Sequence, residues 1–220
     1  MTRDHGDDHD ETIMFTQEFW DARYRSAEAI WSGEANPLLV SRAADLEPGT
    51  ALDVGSGEGA DAIWLATQGW DVTGVDVSAV ALARAADRAA RTTEQIANRI
   101  TWRRADLLSW SPEPLAFDLV SAQFMHLPPS EREALHRRLA AAVRPGGSLL
   151  VVGHHPSDLE TSAERLDRAD LLFTAEQVVA ELDPQDWTIV LAAAPEREVT
   201  GADGQAVTIH DAVMHATRRR

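Results

Sequence analysis

Residues 51–60, Ala-Leu-Asp-Val-Gly-Ser-Gly-Glu-Gly-Ala, end an apolar run on a carboxylate and follow it with glycines at alternate positions. Gly55, Gly57 and Gly59 lack Cβ, so the chain can turn sharply there and lie against a ligand. The helix expected from Asp61 aims unpaired N–H groups at the same place, and the combination is a nucleoside-cofactor cradle. Gly55, Gly57 and Ala60 also fit the dinucleotide fingerprint, so the glycines by themselves leave the ligand open. Asp53, two residues ahead of Gly55, discriminates: its charge repels a pyrophosphate and holds an ammonium group. Asp76 ends the next strand-like run, Trp70–Asp76, 21 residues after Gly55. A carboxylate there accepts both hydroxyls of an unphosphorylated ribose. Asp106 ends a third run, Ile100–Asp106, and is placed to accept from an adenine amino group. The pattern is one carboxylate for each polar end of a cationic nucleoside.

In this order the motifs resemble those of the class I S-adenosylmethionine-dependent methyltransferases. That family has a D-x-G-x-G-x-G loop, matched at Asp53–Gly59, an acidic second-strand end, matched at Asp76, and an Asp after the third strand, matched at Asp106. Phe117–Pro128 resembles the family's fourth strand and active-site loop, and Leu139–Gly153 its turn into the fifth strand. The resemblance implies S-adenosyl-L-methionine as cofactor, with contacts from Asp53, Gly55, Ser56, Gly57, Gly59, Asp76, Val77, Asp106, Leu107 and Gln123. It implies transfer of a methyl group to an O, N or S atom of a small-molecule acceptor by in-line displacement. In the thiopurine and tellurite-resistance branches an aromatic helix forms a lid, and Trp20, Tyr24 and Trp31 stand in the corresponding segment, as lid or as plain core. The family pattern puts His126 after the fourth strand and His154 and His155 after the fifth, where an imidazole suits proton removal from an acceptor. Neighbouring histidines rarely converge on one ion and no third ligand is evident, so no metal is expected. Ser56 and Ser78 either touch the ligand or cap a helix; Glu58 either meets the cofactor's amino acid end or faces water.

A parallel sheet has to carry these carboxylates to one edge. Strands are predicted at 51–54, 72–76, 100–104, 119–122 and 148–152. Helices are predicted at 16–30, 37–46, 61–68, 78–92, 130–143 and 174–182, with Ser78, Ser130 and Thr174 as N-caps. The alternation predicts an α/β fold, a Rossmann-like doubly wound sheet with helices on both faces. Residues 187–199 and 206–217 flank Gly201-Ala-Asp-Gly204 and predict a long hairpin. The expected sheet is therefore seven-stranded and mostly parallel, with the C-terminal antiparallel hairpin that separates this family from NAD enzymes. Residues 1–12 are expected to be a disordered acidic tail. Residues 13–220 are expected to be one methyltransferase domain, with a helical lid at 13–48 and a Rossmann-like core at 49–220. An exposed hairpin edge permits pairing between copies, which leaves monomer and homodimer both open.

Composition narrows the partners. The 20 basic residues against 36 acidic ones leave a net charge of -16, which repels nucleic acid phosphates. Every basic residue is arginine, which removes Schiff-base and P-loop lysine chemistry, and the lack of cysteine removes thiolate catalysis. The longest apolar runs, near 149–152 and 189–194, are too short to cross a bilayer, so a cytoplasmic protein with no membrane partner is expected. Two other classes share the glycine turn: an NAD-dependent oxidoreductase, and a regulatory protein that binds S-adenosylmethionine without turnover.

Overall fold

The computed structural model describes residues 15–163, 168–201 and 204–220. The expected tail at 1–12 lies outside them. The chain begins with α1 (Gln17–Arg25) and α2 (Pro37–Ala43), then alternates through β1 (Thr50–Val54), α3 (Ala60–Thr67), β2 (Asp71–Asp76), α4 (Ala79–Ala90), α5 (Glu94–Ala97) and β3 (Ile100–Arg104). It continues with β4 (Phe117–Gln123), α6 (Pro129–Ala142), β5 (Val143–His154), α7 (Ala175–Ala180), β6 (Trp187–Ala193), β7 (Glu196–Thr200) and β8 (Ala206–Arg218).

The sheet order is β3-β2-β1-β4-β5-β8-β6, with β7 also on β8. Strands β1 to β5 pair in parallel, and β8 runs antiparallel to β5, β6 and β7. The central strands carry buried apolar runs, such as Leu119-Val120 and Leu149–Val152, because helices cover both of their faces. Leu52, Val120, Leu139 and Val178 belong to the core on one face; Leu39, Ala51, Leu65 and Trp70 belong to the core on the other. The direction of winding reverses between β1 and β4, and in such sheets the ligand crevice opens beyond the strand C-termini at that point. Asp53 and Asp76 sit at those C-termini, on neighbouring strands.

Three local expectations are corrected. The first helix stops at Arg25 instead of residue 30, because the N–H groups of Ile30 and Trp31 go to the Glu58 carboxylate and not to a helical turn. Ser130 does not cap α6; Pro128 stands at the N-cap with Pro129 at the first helical position, where no N–H is needed. Among the described residues there are eight strands and not seven, since Ala194-Pro195 interrupts the first arm of the hairpin and splits it into β6 and β7. Ser78 and Thr174 do cap their helices, Ser78 accepting from Ala81 N–H and Thr174 within a capping box with Gln177.

Candidate active site

The turn after β1 is forced by its residues. Gly55, Gly57 and Gly59 have φ of +70°, +51° and +81°, the left-handed region that favours glycine. At Gly57 a side chain is excluded twice, since a Cβ would also come within 2.9 Å of the Tyr24 hydroxyl. Asp76 holds the turn from the next strand: its Oδ2 accepts from Gly57 N–H at 2.9 Å and its Oδ1 from Ser78 N–H at 2.8 Å. Burial, partly offset by these bonds, raises its pKa above the usual carboxylate value.

Asp53 is 2 % exposed, and its Oδ2 is buried without a hydrogen-bond partner. Burial first, and then the neighbouring Asp61 carboxylate, push its pKa well above the ordinary range, with a backbone bond from Ala62 opposing. Burial pushes Asp61 up to about 6, although it accepts from Asn36 N–H at 2.7 Å. Two buried carboxylates with a raised affinity for protons could hold a cation, because a bound ammonium would supply the missing positive charge.

A cavity of about 950 Å³ opens on these groups. Its wall includes Trp20, Tyr24, Trp31, Asp53, Gly55, Ser56, Gly57, Asp76, Val77, Asp106, Leu107 and Gln123, with His126 and His154 also on it. Two residues anticipated from sequence are elsewhere. Gly59 is not on the wall: a Cβ there would strike Trp102 at 2.6 Å and Ala85 at 2.8 Å, so it serves close packing of the turn on α4 and β3. His155 is not on the wall either; its Nδ1 pairs with Ser157 Oγ at 2.9 Å, and Ser157 in turn reaches His210 at 3.2 Å. Asp106 holds its own turn, accepting from Leu108 N–H at 2.9 Å.

The segment before β1 covers the turn. Tyr24, 3 % exposed, accepts from Trp31 Nε1 at 3.1 Å above Gly57, and burial with the nearby Asp76 charge raises its hydroxyl to about 12. Trp31 itself is half exposed. Glu58 neither faces water nor stays open for a ligand: it pairs with Arg84 at 2.9 Å and clasps the Ile30 and Trp31 N–H groups. Ser78 is a cap and an anchor, donating to Asp21 Oδ1 at 2.6 Å. Asp21, Asn36, Asp61 and Asp211 were not singled out from the sequence. Asn36 ties Asp61 to Gln123, whose Oε1 accepts from Asn36 Nδ2 at 2.8 Å. No spacing marks such contacts, because their partners lie 25 to 87 residues away.

At the far end, Phe124 adopts a φ of +55°, a strained value for a non-glycine residue, directly after β4. This carries Phe124, Met125 and His126 around the cavity wall. His126 Nε2 accepts from His154 N–H at 2.9 Å, and the two rings stack with centroids 4.5 Å apart.

Residues 51–147 match the protein-family model for a methyltransferase domain. Over that stretch the chain resembles the class I methyltransferases. It is 33% identical over 122 residues to phosphoethanolamine N-methyltransferase 2 of Caenorhabditis elegans, spanning 54% of this chain and 27% of that protein. It is 28% identical over 144 residues to thiocyanate methyltransferase 1 of Brassica oleracea, spanning 63% of this chain and 62% of that one. The chain therefore spans between about a quarter and two thirds of the length of these curated relatives. Its fold is that of the 1,6-didemethyltoxoflavin-N1-methyltransferase of Burkholderia thailandensis, with a TM-score of 0.67, 21% identity, and coverage of 100% of this chain and 94% of that one. The cofactor of the methyltransferase family is S-adenosyl-L-methionine. The wall described above fits that group: an unpartnered buried carboxylate oxygen for its ammonium, a side-chain-free turn, and acidic ends on the second and third strands. The dinucleotide alternative raised by Gly55, Gly57 and Ala60 gives way to this family match. Among the described residues no helix is long and apolar enough to cross a membrane, and no cluster of three His, Asp or Glu side chains is placed to hold a metal.

Proposed function

We propose that the chain transfers the methyl group of S-adenosyl-L-methionine to an O, N or S atom of a small-molecule acceptor. The observation that carries this reading is the cavity itself, which runs from the unpartnered Asp53 oxygen to the paired rings of His126 and His154. When bound, the cofactor supplies a methyl group on a positively charged sulfur. Asp53, with Asp61 behind it, would hold the ammonium; Ser56 and Gly57 line the turn; Asp76 and Val77 would hold the ribose; Asp106 and Leu107 would flank the base. The Asp76 oxygens already accept from Gly57 and Ser78 N–H, and a carboxylate has about four acceptor positions, which leaves capacity for a hydroxyl. Trp20, Tyr24 and Trp31 would close over the turn and keep water away. Displacement at a sulfonium carbon is helped chiefly by alignment of the nucleophile and exclusion of water, which a walled cavity provides.

The acceptor is neutral or cationic in this reading. Eight carboxylates and three arginines line the cavity, and two of the arginines are engaged, Arg88 with the Gly33 carbonyl and Arg197 with Asp211. A net charge of -16 argues against nucleic acid as acceptor. The two curated relatives described above are named for small acceptors, phosphoethanolamine and the anion thiocyanate, so their names bear on the acceptor's size and not on its charge. His155, off the wall, has no part in the proposed chemistry.

Calorimetric titration with S-adenosylhomocysteine tests the cofactor assignment, and absence of any binding would remove it. A panel of phenols, thiols, amines and heterocycles with isotope-labelled cofactor, read by product mass, tests the transfer. Tight binding with no product from any class would point instead to a regulatory binding role.

A further inference from the structure

Each glycine of the turn is met by one large side chain, and each of these comes from a different element. Met125, after β4, lies against Gly55; the Tyr24 hydroxyl of α1 lies over Gly57; the Trp102 indole of β3 lies against Gly59. Met125 and Tyr24 are on the cavity wall, where a ligand would meet them, and Trp102 is not. Trp102 is half-buried and packs on the core that holds Leu65 and Trp70. Across the parallel ladder it is the register partner of Gly74 on β2, and Gly74 is the register partner of Asp53 on β1. Gly74 is not a residue that its backbone requires, since its φ lies outside the left-handed region. It is required by the indole: a Cβ on Gly74 would come within 2.5 Å of Trp102 Cζ3 and 2.7 Å of Cε3. The next atom around the same ring, Cη2, lies 2.6 Å from where a Gly59 Cβ would stand. An aromatic ring facing a strand glycine covers the backbone that the glycine leaves bare. One rigid ring therefore touches both the strand beside the cradle and the last residue of the turn.

The hydrogen bonds of the turn act in the same direction. The Val75 carbonyl, next to Gly74, accepts from Gly55 and Ser56 N–H at 2.8 and 3.0 Å, and Gly59 N–H closes on the Ser56 carbonyl at 2.9 Å. These bonds draw the turn toward β2, and the indole sets how far it can go. We propose that Trp102 is a positioning residue for the cofactor: its ring is the stop beneath the glycine turn and, through Gly59 and Gly74, fixes where the turn meets the ligand; this rests on the methyltransferase reading above. In-line displacement is exacting about placement, since an error of about 1 Å at the reacting centre can cost about 100-fold in rate. Trp102 thus bears on methyl transfer without touching cofactor or acceptor, and Gly74 bears on it by leaving room for Trp102.

Calorimetric titration with S-adenosylhomocysteine tests this on W102F, G74A and the W102F/G74A double variant, each first checked for a cooperative melt. W102F keeps a ring on β3 but lacks the outer atoms that reach Gly59, and it is expected to bind about tenfold more weakly. G74A keeps the indole and pushes it aside with a methyl group, and a loss of similar size is expected. In the double variant that methyl group has room, so the two losses are expected not to multiply. Hydrogen exchange in the ligand-free protein supplies the readout that a mere core filler would not move. The Gly57 and Gly59 N–H groups are expected to exchange faster in W102F while the buried Leu52 and Val120 in the sheet keep their protection. Undiminished affinity in folded W102F or folded G74A overturns the proposal, as do losses that multiply or turn and sheet amides that accelerate together. Should W102F not melt cooperatively, G74A, which removes no side chain, decides by itself. Failure of the unaltered protein to bind S-adenosylhomocysteine would remove the methyltransferase reading instead, and the exchange comparison would still show whether Trp102 holds the turn.

Discussion

Asp76 Oδ2 accepts the Gly57 N–H at 2.9 Å, so the carboxylate expected to meet a ribose is also the strut of the glycine turn. Its other oxygen holds Ser78 N–H, where α4 begins. D76N keeps the shape but loses the charge: its one oxygen accepts from one backbone N–H as a neutral bond, and its NH2 faces the other N–H with nothing to accept it. Affinity for S-adenosylhomocysteine is expected to fall by about 1–3 kcal/mol, read by calorimetry. Unchanged affinity would take Asp76 out of the site.

Gly57 tests the contact between the turn and its cover. G57A places a Cβ at φ +51° and within 2.9 Å of the Tyr24 hydroxyl. The backbone strain alone costs about 1–2 kcal/mol. A lower melting temperature and weaker S-adenosylhomocysteine binding are expected, with part of both recovered in the G57A/Y24F double variant. No recovery would mean that Tyr24 is not what the methyl group strikes.

The Asp53–Asp61 pair sets a pH dependence for the ligand-free protein. Asp61 is raised from 3.8 to about 6, so the folded chain holds that proton more tightly than the unfolded one. The contribution of this group to stability is therefore fully present below pH 3.8 and is lost as pH rises through about 6. D61N, which can still accept from Asn36 N–H, is expected to flatten this dependence and to gain up to about 3 kcal/mol relative to the unaltered protein at pH 7. Urea unfolding at pH 4, 5, 6 and 7 reads the difference; parallel curves for the two proteins would contradict it.

Asp21 is the anchor of α1, accepting from Ser78 Oγ at 2.6 Å and from Val80 N–H at 3.3 Å. Burial raises its pKa, but the bonds from Ser78, Gln17 and Val80 outweigh this and leave it below the usual value. D21A is expected to cost about 1–3 kcal/mol by leaving the Ser78 hydroxyl unsatisfied. Hydrogen exchange should accelerate in residues 17–31 while the sheet stays protected. Equal acceleration across β1, β4 and β5 would show instead that the loss is global.

How much of this was legible in the chain follows from the distances over which the contacts act. The turn from Asp53 to Gly59 was readable because its requirements are local: positive φ needs glycine, and a strand end followed at once by a helix start needs a bend. Asp76 and Asp106 were readable because strands that alternate with helices must run parallel, which brings their C-terminal ends to one edge. The three histidines were readable only as a set, since position after a strand says nothing of where a ring turns. Tertiary structure separated them: His126 binds a backbone N–H, His155 turns to Ser157, and His154 faces Asp211. Asp211 itself has no signal in the chain, for it stands 57 residues beyond its partner and meets it only because β8 folds back antiparallel on β5 in one register. Likewise Pro195 showed only that a strand would be interrupted, not that the break would bring Arg197 to the Asp211 carboxylate. Sequence determined the backbone that a cationic nucleoside requires, because that demand is met residue by residue. Packing between distant strands decided which side chains meet at the acceptor's end, because their pairing depends on register and on a buried charge finding its partner.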